Sequence, residues 1–237
     1  MRFLVTRPEP DAAKLAGRLE AKGHEAVVEP LLSIVYPDRL DLPFDGAQAL
    51  IVTSRNGLRA LARVGVPEAA LRLPVLAVGE ATAALARDLG FSTIHTGRGT
   101  AADLVPVAEG HCDPQAGPLL HLAGAHVASN MKPALLQRGF EVRQETVYEA
   151  VAATELSKAV QEDIRAGRLH GILFMSPRTA AVFLDLVAAH DLLEPASRIA
   201  CFCLSDAIAA KLAAGGIRRV AISGTPREDD LLTLIGC

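Results

Sequence analysis

Short apolar runs separated by helix-patterned segments constrain this chain more than any other feature. "FLVT", "AVVEPLL", "ALIVTS", "PVLAVG", "STIHTG", "PLLHLAG", "EVRQETVY", "GILFMS", "RIACFCLS" and "RVAISG" recur along it, most of them followed by an Ala/Leu-rich stretch. In "PDAAKLAGRLEAKG" the residues Ala12, Leu15, Ala16 and Leu19 fall on one helical face, and Gly23 closes the helix. Strands that are apolar almost throughout must be covered on both faces. Alternation with helices therefore implies parallel sheets between helical layers, an α/β fold.

The alternation is also repeated. "LIVTSRNGLRALARVG…PVLAVGEATAALARDLGFSTIHTG" and "ILFMSPRTAAVFLDLV…IACFCLSDAIAAKLAAGGIRRVAIS" both read strand, helix, strand, helix, strand. "FLVTRPEPDAAKLAGRLEAKGHEAVVEP" resembles "LLHLAGAHVASNMKPALLQRGFEVRQET", with Lys22-Gly23 answering to Arg138-Gly139. The chain thus runs two-strand half, three-strand unit, half, three-strand unit. Five strands complete a doubly wound sheet, so each half must join a three-strand unit. Residues 45–146 can form one domain, and 1–32 must then combine with 152–237. The expected architecture is two doubly wound, flavodoxin-like parallel-sheet domains, the first discontinuous in sequence, joined by a two-strand hinge. Residues 33–44 and 147–151 are the linkers; Pro37 and Pro43 oppose a helix in the first.

A length of 237 residues suits two such domains. The formal net charge of -3 argues against a nucleic-acid partner, whose phosphates would require a basic surface. "MRFLVTRPEPD" lacks the pattern of a signal peptide, and no apolar run reaches the roughly 20 residues of a membrane span. A cytoplasmic protein with no membrane partner is the expectation. Cys201 and Cys203 share one face of a strand and read as small core hydrophobes. Cys112 lies in a loop and Cys237 at the terminus, so no metal site is expected.

Ligands of open α/β sheets bind beyond the carboxyl ends of the strands. Here those ends carry Thr6-Arg7-Pro8, Thr53-Ser54-Arg55, Val78-Gly79, Thr96-Gly97, Ala123-Gly124, Ser176-Pro177-Arg178, Leu204-Ser205 and Ser223-Gly224. Small residues admit a ligand to the backbone. Helix N-termini attract anions, hydroxyls donate, and arginines fork onto carboxylates. Each of Ser54, Ser176 and Ser205 taken alone has the ordinary role of a helix cap. Several such ends on two domains suggest a wide polyanion site. No nucleophile elbow, phosphate loop, dinucleotide fingerprint or zinc-protease motif is present. His121 lies inside a strand and reads as packed, while His126 follows one and is a candidate ligand contact. Glu228-Asp229-Asp230 reads as the first turn of a terminal helix capped by Thr225.

Together "FLVTRPEPDAAKLAGRLEAKGHEAVVEPLLSI", "ALIVTSRNGLRAL", "VLAVGEATAALARDLGF", "VYEAV" and "GILFMSPRTAAVFLDL" resemble the uroporphyrinogen-III synthase family in order and spacing. The resemblance implies a cofactor-free, monomeric lyase that cyclises hydroxymethylbilane, a linear tetrapyrrole with eight carboxylates, inverting ring D to give uroporphyrinogen III. It also implies that Tyr148 assists departure of the hydroxyl and that Thr82 stands beside the substrate as a second catalytic candidate. The substrate-binding candidates are Arg7, Thr53, Ser54, Arg55, Gly79, Gly124, Ser176, Pro177, Arg178 and Ser205. The chain departs from the family's common patterns at Leu204-Ser205-Asp206-Ala207-Ile208 and at Gly124-Ala125-His126-Val127. The competing readings are a non-catalytic relative that binds a tetrapyrrole or another polyanion, and a two-domain sensor of a small anion.

Overall fold

The computed structural model describes residues 1–126 and 131–235. From the N-terminus come β1 (Arg2–Val5), α1 (Asp11–Glu20), β2 (Glu25–Val28) and β3 (Leu32–Val35). The middle of the chain forms β4 (Ala49–Val52), α2 (Arg55–Val64), α3 (Glu68–Leu71), β5 (Val75–Ala77), α4 (Glu80–Asp88), β6 (Ile94–Thr96) and α5 (Leu104–His111). It continues with β7 (Leu119–Gly124), α6 (Met131–Leu136) and β8 (Val142–Ala152). The last third forms α7 (Lys158–Arg165), β9 (Gly171–Phe174), α8 (Pro177–Ala189) and α9 (Leu193–Ser197). It ends with β10 (Ala200–Cys203), α10 (Asp206–Ala214), β11 (Val220–Ile222) and α11 (Glu228–Thr233).

The chain divides into two compact units, one made of Met1–Ser33 with the chain from Val151 onward, the other of Ile34–Ala150. In the first unit the sheet order is β11-β10-β9-β1-β2, with every neighbouring pair parallel. Side chains alternate between its faces. Leu4, Ile172 and Phe174 join one apolar cluster with α7 and α8, while Phe3, Val5 and Leu173 join another with α1 and α11. Covering helices on both faces explain why these strands carry so few polar residues.

The second unit has the order β3-β8-β7-β4-β5-β6. From β8 to β6 it repeats the first unit: a half-unit (β7, β8) lies beside a three-strand unit (β4, β5, β6), just as β1 and β2 lie beside β9, β10 and β11. Leu50, Val52 and Leu122 face α2 and α4; Ala49, Ile51 and Leu119 face α5 and α6. Five strands per sheet were expected, and this sheet has a sixth. The run "AVVEPLL" holds two strands, because Glu29-Pro30 interrupts it and Leu32–Val35 continues as β3 beside β8. Residues 147–151 lie inside β8, and residues 33–35 inside β3, so the chain passes from unit to unit within extended strands.

Candidate active site

In both sheets the chain winds in opposite directions from a central pair, β1 and β9 in the first unit and β7 and β4 in the second. Loops leaving the carboxyl ends of such a pair diverge and open a crevice, the topological switch point where ligands of these sheets sit. The residues there are Thr6-Arg7 and Met175-Ser176 in one unit, and Thr53-Ser54 and Gly124-Ala125 in the other.

The first unit's rim is largely engaged in its own structure. The buried Thr6 hydroxyl donates to the Leu173 carbonyl at 2.7 Å. Arg7 pairs with Glu228 and lies 3.5 Å from Asp11, with 13% of its side chain exposed. Glu228 also takes Arg18 at 2.6 Å, and Asp229 pairs with Arg18, so the acidic first turn of α11 binds two arginines. Glu228-Asp229-Asp230 does open a helix, but the N-cap position is Arg227 without a side-chain cap; the Thr225 hydroxyl instead donates to Asp230. Ser176 caps α8: its Oγ accepts from the Thr179 N–H at 3.1 Å and lies 2.8 Å from Thr179 Oγ1. Pro177 takes the first helical position, where a missing N–H costs nothing, and is exposed. Ser205 stands at the N-cap of α10 without a side-chain cap bond, and Asp206 follows it.

The second unit's rim is built differently. Ser54 caps α2, accepting from the Asn56 N–H at 3.2 Å. Gly57, one turn in, lets the helix lie against β7, since a Cβ there would come within 2.9 Å of the Leu122 carbonyl. Thr53 Oγ1 lies 3.1 Å from Nε2 of His121, which is wholly buried in β7. Burial drives the His121 pKa down to about 4; the Gln144 side chain opposes this and Lys132 adds to it. Gly79 begins α4 in extended backbone, and Thr82 is buried in its first turn at 4% exposure. The Thr82 hydroxyl makes no hydrogen bond to a described residue and caps nothing.

Tyr148 is half-buried on β8, where a register shift between Ala123 and Gly124 turns it toward the end of β7. Its ring fills the space a side chain on Gly124 would need: a Cβ there would lie 2.7 Å from Tyr148 Cζ and 3.0 Å from the phenol oxygen. Any larger residue at position 124 would force the Tyr148 ring to move. The Ala125 N–H donates to the Tyr148 carbonyl at 2.9 Å, holding the strand end in place. The phenol makes no hydrogen bond to a described residue.

Arg55 and Arg178 are half-buried and each already has an interaction partner. The helices they begin carry no acid in the first turn, unlike α4 with Glu80 and α10 with Asp206. His126 is exposed, and Val127 and Cys237 lie outside the described residues. Cys201 and Cys203 are buried, and burial pushes both thiols up to about 12. Among the described residues no group of three or more His, Cys, Asp or Glu is placed to hold a metal ion, and no helix is long and apolar enough to cross a membrane.

Two doubly wound units of one topology, with hydroxyls, helix N-termini and a tyrosine at their switch points, define a class of two-unit α/β proteins. The family model described as uroporphyrinogen-III synthase HemD matches residues 13–233. The chain belongs to the uroporphyrinogen-III synthase family, cyclising lyases of tetrapyrrole biosynthesis. Two solved structures share its fold. A uroporphyrinogen-III synthetase from Helicobacter pylori is 21% identical, with a TM-score of 0.66 over 99% of this chain and 98% of that one. A mutant uroporphyrinogen III synthase from the extremely thermophilic bacterium Thermus thermophilus is 17% identical, with a TM-score of 0.62 over 99% and 97%. Direct comparison with individual curated proteins gives no match.

Proposed function

We propose that the protein cyclises hydroxymethylbilane to uroporphyrinogen III, with Tyr148 acting on the leaving hydroxyl and the strand-end rims of both units holding substrate carboxylates. The observation that carries this reading is the phenol of Tyr148, set over Gly124 at a switch point with no described hydrogen-bond partner. A proton or hydrogen bond from that phenol to the leaving oxygen helps the C–O bond break, releasing water and leaving an azafulvene cation on ring A. Ring D attacks this cation through its substituted carbon, and the spiro intermediate rearranges. A pyrrole proton is then lost, restoring the acid and closing the macrocycle.

Binding determines which isomer forms, because the free bilane cyclises without inversion. The N-termini of α2 and α8, which carry no first-turn acid, together with Ser54, Ser176, Pro177, Arg55 and Arg178, are the carboxylate contacts of this reading. Gly79 and Gly124 admit the substrate to the backbone, Thr82 supplies a hydroxyl, and Ser205 and Arg7 complete the first unit's share. Holding the arms at several points positions ring D for attack at its inner carbon. The protein works in the cytoplasm as a monomer without a cofactor.

The test is to supply fresh hydroxymethylbilane and resolve the uroporphyrin isomers after oxidation. Isomer III is expected; isomer I alone would leave a tetrapyrrole-binding relative without turnover. Tyr148→Phe should lower kcat about a hundredfold and change KM little, whereas an unchanged kcat would remove the phenol from the reaction.

A further inference from the structure

His121 is buried at the switch point of the second unit and has no part in the chemistry proposed above. Its place is specific to that unit. His121 pairs with Ile51 across β7 and β4, as Val5 pairs with Leu173 across β1 and β9. The sequence repeat likewise sets Met175 where the second unit has Thr53. One switch point is therefore apolar at these two positions and the other holds an imidazole and a hydroxyl 3.1 Å apart.

We infer that His121 is a positioning residue whose Nε2–H donates to Thr53 Oγ1, leaving the Thr53 hydroxyl proton to a carboxylate of the substrate. This rests on the reading that the rim binds carboxylates. Among the described residues, the buried Nδ1 of His121 closes no hydrogen bond of good geometry; the Gln144 side chain on β8 lies near enough to favour the protonated ring, and Lys132 on α6 opposes it. With the proton on Nδ1, a buried N–H would face only the Gln144 side chain, outside good hydrogen-bond geometry, and Thr53 would spend its own proton on Nε2. With the proton on Nε2, only a lone pair is left unsatisfied, which costs less than an orphaned N–H. An imidazolium would add a charge in a dry site on the same side as Lys132 and still orphan Nδ1. Geometry thus selects one neutral tautomer, and that tautomer makes Thr53 a donor to anions.

Nitrogen-15 NMR of the imidazole in the wild-type protein tests the tautomer directly. The expected result is a neutral ring protonated on Nε2 from about pH 8 down to about pH 5. A ring protonated on Nδ1, or one titrating near its ordinary value, would overturn the inference. Kinetics test the consequence. His121→Leu should raise KM for hydroxymethylbilane about tenfold with kcat nearly kept, and His121→Gln, which restores a donor near Nε2, should recover most of it. Added to Thr53→Val, His121→Leu should have no further effect. Additive losses, or a glutamine variant as impaired as the leucine, would refute it. Failure of the wild-type protein to form isomer III would defeat the functional reading alone. Titration of the same variants with uroporphyrin, an octacarboxylate, would then still report the Thr53 contact: a weaker affinity in His121→Leu restored in His121→Gln supports it, and equal affinities refute it.

Discussion

The two units share one strand order and differ in how their rims use polar groups. In the first, most polar side chains are engaged internally: Arg7 pairs with Glu228 and Asp11, although its buried Nε closes no hydrogen bond among the described residues, Ser176 and Thr179 share a hydroxyl–hydroxyl bond, and Ile208 is buried where the repeat has Thr82 in the second unit. In the second, groups stand at the rim without a described partner: the Tyr148 phenol and the Thr82 hydroxyl, with Thr53 fixed by His121. One rim ties most of its polar side chains into its own hydrogen bonds and ion pairs, and the other leaves a phenol and a hydroxyl without a described partner.

The contrast can be attacked first at Gly124. Gly124→Ala should displace the Tyr148 ring and reduce kcat by about a thousandfold, the range of a general-acid contribution lost together with positioning. Gly171→Ala in the first unit, where a Cβ would meet Phe202 at 2.6 Å and Phe3 at 2.8 Å, should instead lower stability by about 2 kcal/mol with kcat retained in the folded fraction. Denaturant melts run beside steady-state assays distinguish the two outcomes.

Acid should also separate the units. Burial lowers the pKa of His121 to about 4, and burial followed by the neighbouring His111 lowers that of His95, both in the second unit. An unfolded chain takes up these protons near the ordinary histidine value while the folded unit does not. Stability from this source is therefore full above about pH 6.5 and is lost as pH falls toward 4, by up to about 3 kcal/mol for His121 at about 1.4 kcal/mol per pKa unit. In the first unit burial would raise the Asp163 carboxyl, but Arg168 and Arg2 hold it below its ordinary value. That contribution is present above pH 3.8 and is lost only below it. Hydrogen exchange near pH 5 should accelerate in β4 and β7 before β1 and β9; the reverse order would contradict the pKa assignments.

A smaller effect is expected at the duplicated first turn. Thr82→Val should lower kcat/KM about tenfold with little change in stability. Ile208→Thr should leave kcat/KM unchanged while costing about 1–2 kcal/mol for a buried hydroxyl. Equal kinetic losses at both positions would mean that the rims share the chemistry.

The fold was largely legible because apolar runs and their repeat reflect burial of parallel strands on both faces, and the half-unit and three-strand unit combine into one strand order. What the sequence hid was local or distant. Pro30 hides inside an apolar run the break between β2 and β3, and the polar alternation of β8 gives no sign that it extends through eleven residues. The candidate site's strand ends and helix caps were legible, since Ser54 and Ser176 sit at the starts of helical patterns and cap α2 and α8. Its partnerships were not. Arg7 meets Glu228 at the far end of the chain, His121 meets Thr53 only through the β4–β7 register, and Tyr148 depends on Gly124 through a shifted pairing. These follow from tertiary register, which residue pattern does not encode.

The central claim is that the reactive groups belong to the second unit's rim while the first unit's rim serves binding. Single-turnover conversion at saturating hydroxymethylbilane, followed for Tyr148→Phe and for Ser176→Ala, tests it most directly. The account predicts a rate of isomer III formation reduced about a hundredfold in the first variant and nearly unchanged in the second. A larger loss in Ser176→Ala than in Tyr148→Phe would contradict it.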